Sequence, residues 1–217
     1  MVERVVPATY IGHAPSGEIV ATGISAAEFS KMSTEERYEW VRGFVIKMPS
    51  ASLQHIDLVF YLHLLFKVYF KLNPIGCVVG DGLEMRIEAI ESYRQPDLQI
   101  ILNTNTGELT NTAMIGPADI CIEVVSPESV ARDYGDKFEE YEKAGVQEYW
   151  LIDPLRKAHR FYRLDTNGLY IDHEIDAAGN YTTLLLPHFV LPVSTLWQEQ
   201  LPDVFAVTEF VEAMFKA

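Results

Sequence analysis

Pro96-Asp97-Leu98-Gln99-Ile100-Ile101-Leu102 and Ala118-Asp119-Ile120-Cys121-Ile122-Glu123-Val124-Val125-Ser126-Pro127 are the two apolar runs on which the reading of this chain turns. Both read as β-strands. The second is nearly continuous in apolar residues, as expected of a central strand covered on both faces. A carboxylate inside such a run is costly to bury unless something compensates it. Asp97 opens its strand directly after Pro96, and Glu123 lies well inside the other. If the strands are neighbours, the two carboxylates share one edge of the sheet. Mg²⁺ takes one or two carboxylates and completes its shell with water and phosphate oxygens, so the pair points to a divalent-metal site. Each acid also has a plainer reading. Asp97 can close an Asx turn after proline, and an arginine or lysine partner serves Glu123 as well as a metal does.

Downstream lies Asp133-Tyr134-Gly135-Asp136-Lys137-Phe138-Glu139-Glu140-Tyr141. The spacing predicts a helix over 134–144, stopped by Gly145. Asp133 and Lys137 are four residues apart and share a face, with Tyr141 one turn on. Lys137 is read either as a surface ion pair or as a cation turned back towards the sheet edge. Glu148 to Ile152 reads as another buried strand. Arg156-Lys157-Ala158-His159-Arg160-Phe161-Tyr162-Arg163 follows, the one dense basic run, fitted either to phosphate contact or to a charged strand edge.

Upstream, Ser52 caps the strongest helix in the chain, 52–72, whose apolar residues cover most of its circumference and predict burial nearly all round. His55 near its start reads as a cap, a packing residue or a ligand. Ser25 and Glu28 form a capping box before a short helix. Tyr38 to Met48 reads as two strand segments about Gly43, with Glu39 as a further acid or an exposed strand residue. Residues 1–22 read as an arm or short strand and 103–117 as a polar loop. Short strands at 159–164, 169–175 and 181–186 make a hairpin-rich tail, and a helix over 204–215 ends it.

The chain has 217 residues and a net charge of −14, with 48% hydrophobic and 22% charged residues. These values suit one globular domain with a substantial core. The acidic balance argues against unspecific nucleic-acid binding, which draws on lysine and arginine. Two cysteines form no disulfide framework, and no leader or spanning segment is legible, so the expected location is the cytoplasm, away from membranes.

Taken together, Tyr38-Glu39 with Gly43, His55 opening a long helix, Pro96-Asp97, Ile122-Glu123-Val124-Val125-Ser126-Pro127-Glu128-Ser129, Asp133 with Lys137, and Tyr141-Glu142-Lys143-Ala144-Gly145-Val146-Gln147-Glu148-Tyr149-Trp150-Leu151-Ile152-Asp153-Pro154 resemble the Uma-two family of restriction-endonuclease-like proteins over about residues 24–205. The resemblance implies an α/β (α+β) fold of the PD-(D/E)XK nuclease kind, a central mixed sheet flanked by helices. It implies an endonuclease acting on DNA with Mg²⁺ or Mn²⁺. Asp97 and Glu123 would be its metal ligands and Lys137 its catalytic lysine. Val125 stands where a Glu-x-Lys motif would place that lysine, and Lys137 on the next helix looks like its relocated substitute. Glu39, His55, Asp133 and Tyr141 are further site candidates, and Arg156, Lys157, Arg160 and Arg163 candidate DNA contacts. A nuclease fold that binds without cleaving is the alternative. A homodimer is expected through Phe161 to Ile175 and the C-terminal Phe205, Phe210 and Phe215.

Overall fold

The computed structural model describes residues 13–32, 36–80 and 82–216. The chain runs β1 (Glu18–Thr22), α1 (Ala26–Phe29), β2 (Tyr38–Val41) and β3 (Phe44–Lys47) into α2 (Leu53–Leu72). It continues through β4 (Gly76–Gly80), β5 (Glu84–Ile87), β6 (Ser92–Arg94), β7 (Leu98–Leu102), β8 (Glu108–Leu109) and β9 (Ala113–Ile115). Then come β10 (Ile120–Val124), a π-helical turn (Arg132–Asp136), α3 (Lys137–Ala144) and β11 (Glu148–Asp153). The tail holds β12 (Ala158–Leu164), β13 (Tyr170–Asp172), β14 (Asn180–Thr182), β15 (Val190–Pro192) and α4 (Val204–Met214).

Two large mixed sheets result. One has the order β13-β12-β11-β10-β7-β4, the other β1-β3-β2-β6-β5-β9-β8. In the first, β10 and β11 are parallel and β10 and β7 antiparallel. Residues 103–117, expected as loop, contribute β8 and β9 to the second sheet. The β9 residues Ala113 and Met114 are buried there, and so short an apolar patch carries too little period to be read locally. Residues 1–12 of the expected arm lie outside the described residues, and 18–22 form β1.

The six-stranded sheet is packed on both faces because its strands alternate. Ile120, Ile122 and Val124 face α2 and α4 together with Leu98, Ile100, Trp150 and Ile152. Cys121 faces the other side with Ile101, Tyr141, Tyr149 and Leu151. Glu123 shares the parity of Cys121 and so points towards α3. Ser52 caps α2 by accepting the His55 N–H, and the Ser25–Glu28 capping box is formed.

Two expectations are corrected. Helix α2 is not buried all round: Leu53, Ile56 and Phe60 are exposed, because the sheet covers only one side of a helix that the tail leaves open near its start. The expected dimer face is exposed only in part: Leu169, Ile171 and Phe205 face solvent. Phe161 is buried and stacks on Tyr181, and Phe210 and Phe215 pack against the core, leaving Phe205 exposed.

Candidate active site

The β7–β10 register pairs Leu98 with Ile122, Gln99 with Cys121 and Ile100 with Ile120. Just beyond Leu98 and Ile122 come Asp97 and Glu123, which line one cleft where the two strands end. Asp97 Oδ2 accepts the Val124 N–H at 2.7 Å, and this bond ties the acid to the neighbouring strand. Pro96 cannot donate to a ladder, so β7 begins only at Leu98 and Asp97 is left at its mouth. His55, from the first turn of α2, places Nε2 3.3 Å from Asp97 Oδ1. Burial pulls the His55 imidazole down, but the Asp97 hydrogen bond and charge outweigh it, and the net shift is upward.

Lys137 is fully buried, not a surface residue. The wide turn before α3 carries it against the sheet, where Nζ lies 2.7 Å from Glu123 Oε1, 3.6 Å from Glu39 Oε1 and 3.8 Å from Asp133 Oδ1. Insertions of this wide kind recur at functional sites. Tyr141 donates its hydroxyl to the same Glu123 Oε1 at 3.1 Å. Among the described residues Oε2 of Glu123 makes no hydrogen bond. Burial works against the charge on Lys137, yet Glu123, Glu39 and Asp133 hold its proton above the ordinary lysine range. Burial drives Glu123 the other way, up to about 8, reinforced by Asp97 and Asp133 and only partly relieved by Lys137. Asp133 is also raised, chiefly by burial.

Behind Lys137 runs a buried charge network. Arg94 binds Glu39 Oε2 through Nη1 at 2.9 Å and grips both oxygens of Glu140 at 2.8 Å. Glu39 Oε1 also accepts the Gln95 N–H. Burial alone would raise Glu39, but Lys137, Arg94, Arg132 and that N–H hold it at about 2. Arg94, Gln95, Arg132 and Glu140 are absent from the sequence expectations. A signal existed for Arg94, a lone cation in Ser92-Tyr93-Arg94-Gln95 just before the first acid.

Asp97, Glu123, Asp133, His55 and Arg132 line one cleft of about 40 Å³, room for one or two water-sized occupants. Among the described residues no three His, Cys, Asp or Glu side chains form a ready metal cage. Asp97 and Glu123 match the one or two carboxylates that Mg²⁺ requires. One feature of the cleft fits a cation: Asp133 Oδ1 is buried with no hydrogen bond. Another cavity, about 600 Å³ between α2 and residues 198–203, gathers Asp57, Glu199 and Asp203 around apolar walls and, among the described residues, has no lysine in its lining.

The basic run is largely spoken for. Arg156 pairs with Asp153, Arg160 with Asp172, and Arg163 with Glu148. Arg163 also lies over the Tyr181 ring, at the end of β12 paired with Glu148 and so opposite the cleft. Lys157 sits at the β11–β12 turn with φ of 48°.

No curated protein matches the sequence. The structure resembles a crystal structure described as a "putative nuclease belonging to DUF820" from Anabaena variabilis, at TM-score 0.59 and 20% identity, over 87% of this chain and 99% of that one. The Uma2 family, described as "Putative restriction endonuclease", matches residues 26–194. With more than half of its length matched, the chain belongs to the Uma2 family.

Proposed function

We propose that this chain is a Mg²⁺-dependent endonuclease that hydrolyses DNA phosphodiesters, with Mn²⁺ as a substitute ion. The observation that carries the reading is that Asp97 and Glu123 line one cleft, with Lys137 2.7 Å from Glu123. Asp97 and Glu123 would hold the ion, which when bound acidifies water and neutralises charge on a phosphodiester. Lys137 supplies fixed positive charge where negative charge develops, an arrangement that needs a cation at the right distance rather than at one backbone position. Glu39 and Asp133 anchor Lys137, Tyr141 orients Glu123, and His55 orients Asp97. Arg132, at the cleft wall, is placed to meet a phosphate. Of the basic run, Lys157 at the cleft end of β12 is the better candidate for backbone contact, since Arg156, Arg160 and Arg163 are paired with carboxylates. Two free cysteines, Cys77 and Cys121, suit the cytoplasm. We assign a homodimer to the face around Phe205.

Titration with Mg²⁺ and Mn²⁺ by calorimetry, run beside cleavage of plasmid and linear DNA, tests the reading. Glu123→Gln is expected to lose ion binding and cleavage together. Lys137→Met, which keeps the buried volume, is expected to retain ion binding while cleavage falls about a hundredfold or more. Circular dichroism checks that both variants fold. Unchanged cleavage in Lys137→Met would sink the mechanism. One observation favours the alternative, a binding module without cleavage: the Lys137–Glu123 pair is closed and satisfied as it stands. Wild type that neither binds the ions nor cuts DNA would establish that alternative.

A further inference from the structure

Helix α2 turns Leu58, Leu62, Leu65, Phe66 and Tyr69 to the core. Its outer stripe, at helical spacing, is Ile56, Phe60, His63, Lys67 and Lys71. Two large apolar side chains stand in solvent there, Ile56 at 52% and Phe60 at 68% exposure, and two exposed lysines follow. The stripe begins at the candidate active site. A groove of about 390 Å³ runs beside it, walled by His55, Ile56, Val59, Phe60 and His63. Arg37, Ala51 and His55 line both this groove and the cleft of Asp97 and Glu123. Among the described residues no carboxylate lines the groove, in a chain of net charge −14. The other flank of Phe60 is the acidic cavity with Asp57, Glu199 and Asp203. The carboxylates of that flank disfavour a polyanion there. At Gly80 the strand has no side chain, and a Cβ there would meet His63 Nδ1 at 2.7 Å. The glycine lets the imidazole lie against β4 and keeps the groove open.

Resting on the nuclease reading, we propose that the outer stripe of α2, from Ile56 to Lys71, binds single-stranded DNA and leads it into the cleft. A base stacks on Phe60 with Ile56 as apolar contact beside it, and phosphates follow Lys67 and Lys71. The stripe is roughly 22 Å long at the helical rise, enough for a handful of nucleotides. Stacking on an exposed aromatic is indifferent to base identity and needs few cations. Duplex DNA hides its base faces and is held through many phosphates at once. This chain pairs Arg156, Arg160 and Arg163 with its own carboxylates instead.

Fluorescence anisotropy with a labelled short oligothymidylate and a duplex of the same length, on the full chain in EDTA at low salt, separates binding from catalysis. The single strand is expected to bind at least about tenfold tighter than the duplex. Phe60→Ala is expected to weaken it about tenfold. Lys67→Glu should weaken it too and flatten its salt dependence. Phe205→Ala, on α4, should leave it unchanged, with circular dichroism confirming that each variant folds. Tighter duplex binding, no binding of the single strand, or full binding by both Phe60→Ala and Lys67→Glu would overturn the proposal. Cleavage keeps the two readings apart. If Glu123→Gln abolishes cutting while the α2 variants bind and cut as wild type, the stripe is wrong and the nuclease stands. If the α2 variants lose the strand while Glu123→Gln cuts as wild type, the stripe stands and the assigned centre falls.

Discussion

Glu39 shows how much one buried residue carries. Its carboxylate sits between Arg94 and Lys137 with no exposure to solvent. Its pKa is held at about 2 against an ordinary 4.5. A depressed acid stabilises the fold fully above its unfolded pKa and loses that contribution as pH falls through the folded one. The window therefore runs downward from about 4.5 to about 2, and the contribution at neutral pH is about 3 kcal/mol. Glu39→Gln is expected to lower the urea midpoint at pH 6. Over the acid window, wild type should lose stability more steeply than the variant. Parallel curves in that window would remove the assignment. Glu123 works with the opposite sign. Raised to about 8, it favours the fold at low pH and loses that effect as pH rises from 4.5 towards 8, so the two groups act in separate windows.

At the scale of elements, α2 and β7 set the geometry. The Ser52 cap fixes where α2 starts and thereby where His55 meets Asp97. Removing the cap as Ser52→Ala is expected to cost about 1 kcal/mol, with calorimetric ion affinity falling if His55 shifts. Strand β4 lies on β7 through a close backbone approach at Gly76. A Cβ there would stand 2.5 Å from the Ile101 carbonyl oxygen and 2.9 Å from the Leu102 Cα. Neither atom belongs to a side chain that can swing away, so β4 would have to pull back from β7. Gly76→Ala is expected to destabilise by about 2 kcal/mol and lower Tm by about 4–8 °C. A Tm within a degree of wild type would show that the edge strand yields freely.

For the whole molecule, charge and exposed apolar surface act against each other. Phe205 is 81% exposed, and Val204 before it is exposed too. An apolar face of this kind favours association, while a net charge of −14 on each copy opposes it. Salt screens the repulsion without weakening apolar contact, so dimerisation is expected to tighten as salt is raised. Light scattering at micromolar concentration should give a dimeric mass for wild type and a monomeric mass for Phe205→Glu. A monomeric wild type at high salt would refute the dimer.

Local signals determined the strands bearing Asp97 and Glu123, the capped start of α2, the stop at Gly145 and the buried run at β11, because each is written in neighbouring residues as period, cap or turn chemistry. The same signals placed Lys137 on a helix after Glu123, and the Uma2 resemblance gave Glu39, Asp133 and Tyr141 as further site candidates. Only the tertiary structure decided that Lys137 is buried rather than paired at the surface, since its three carboxylates come from β2, β10 and the turn before α3. It alone brought Arg94 and Glu140 behind Glu39, and it alone committed Arg163 to Glu148 on the neighbouring strand. Ion pairing across strands has no period along the chain: which charges meet depends on strand order and register, and these are set by how the two sheets pack.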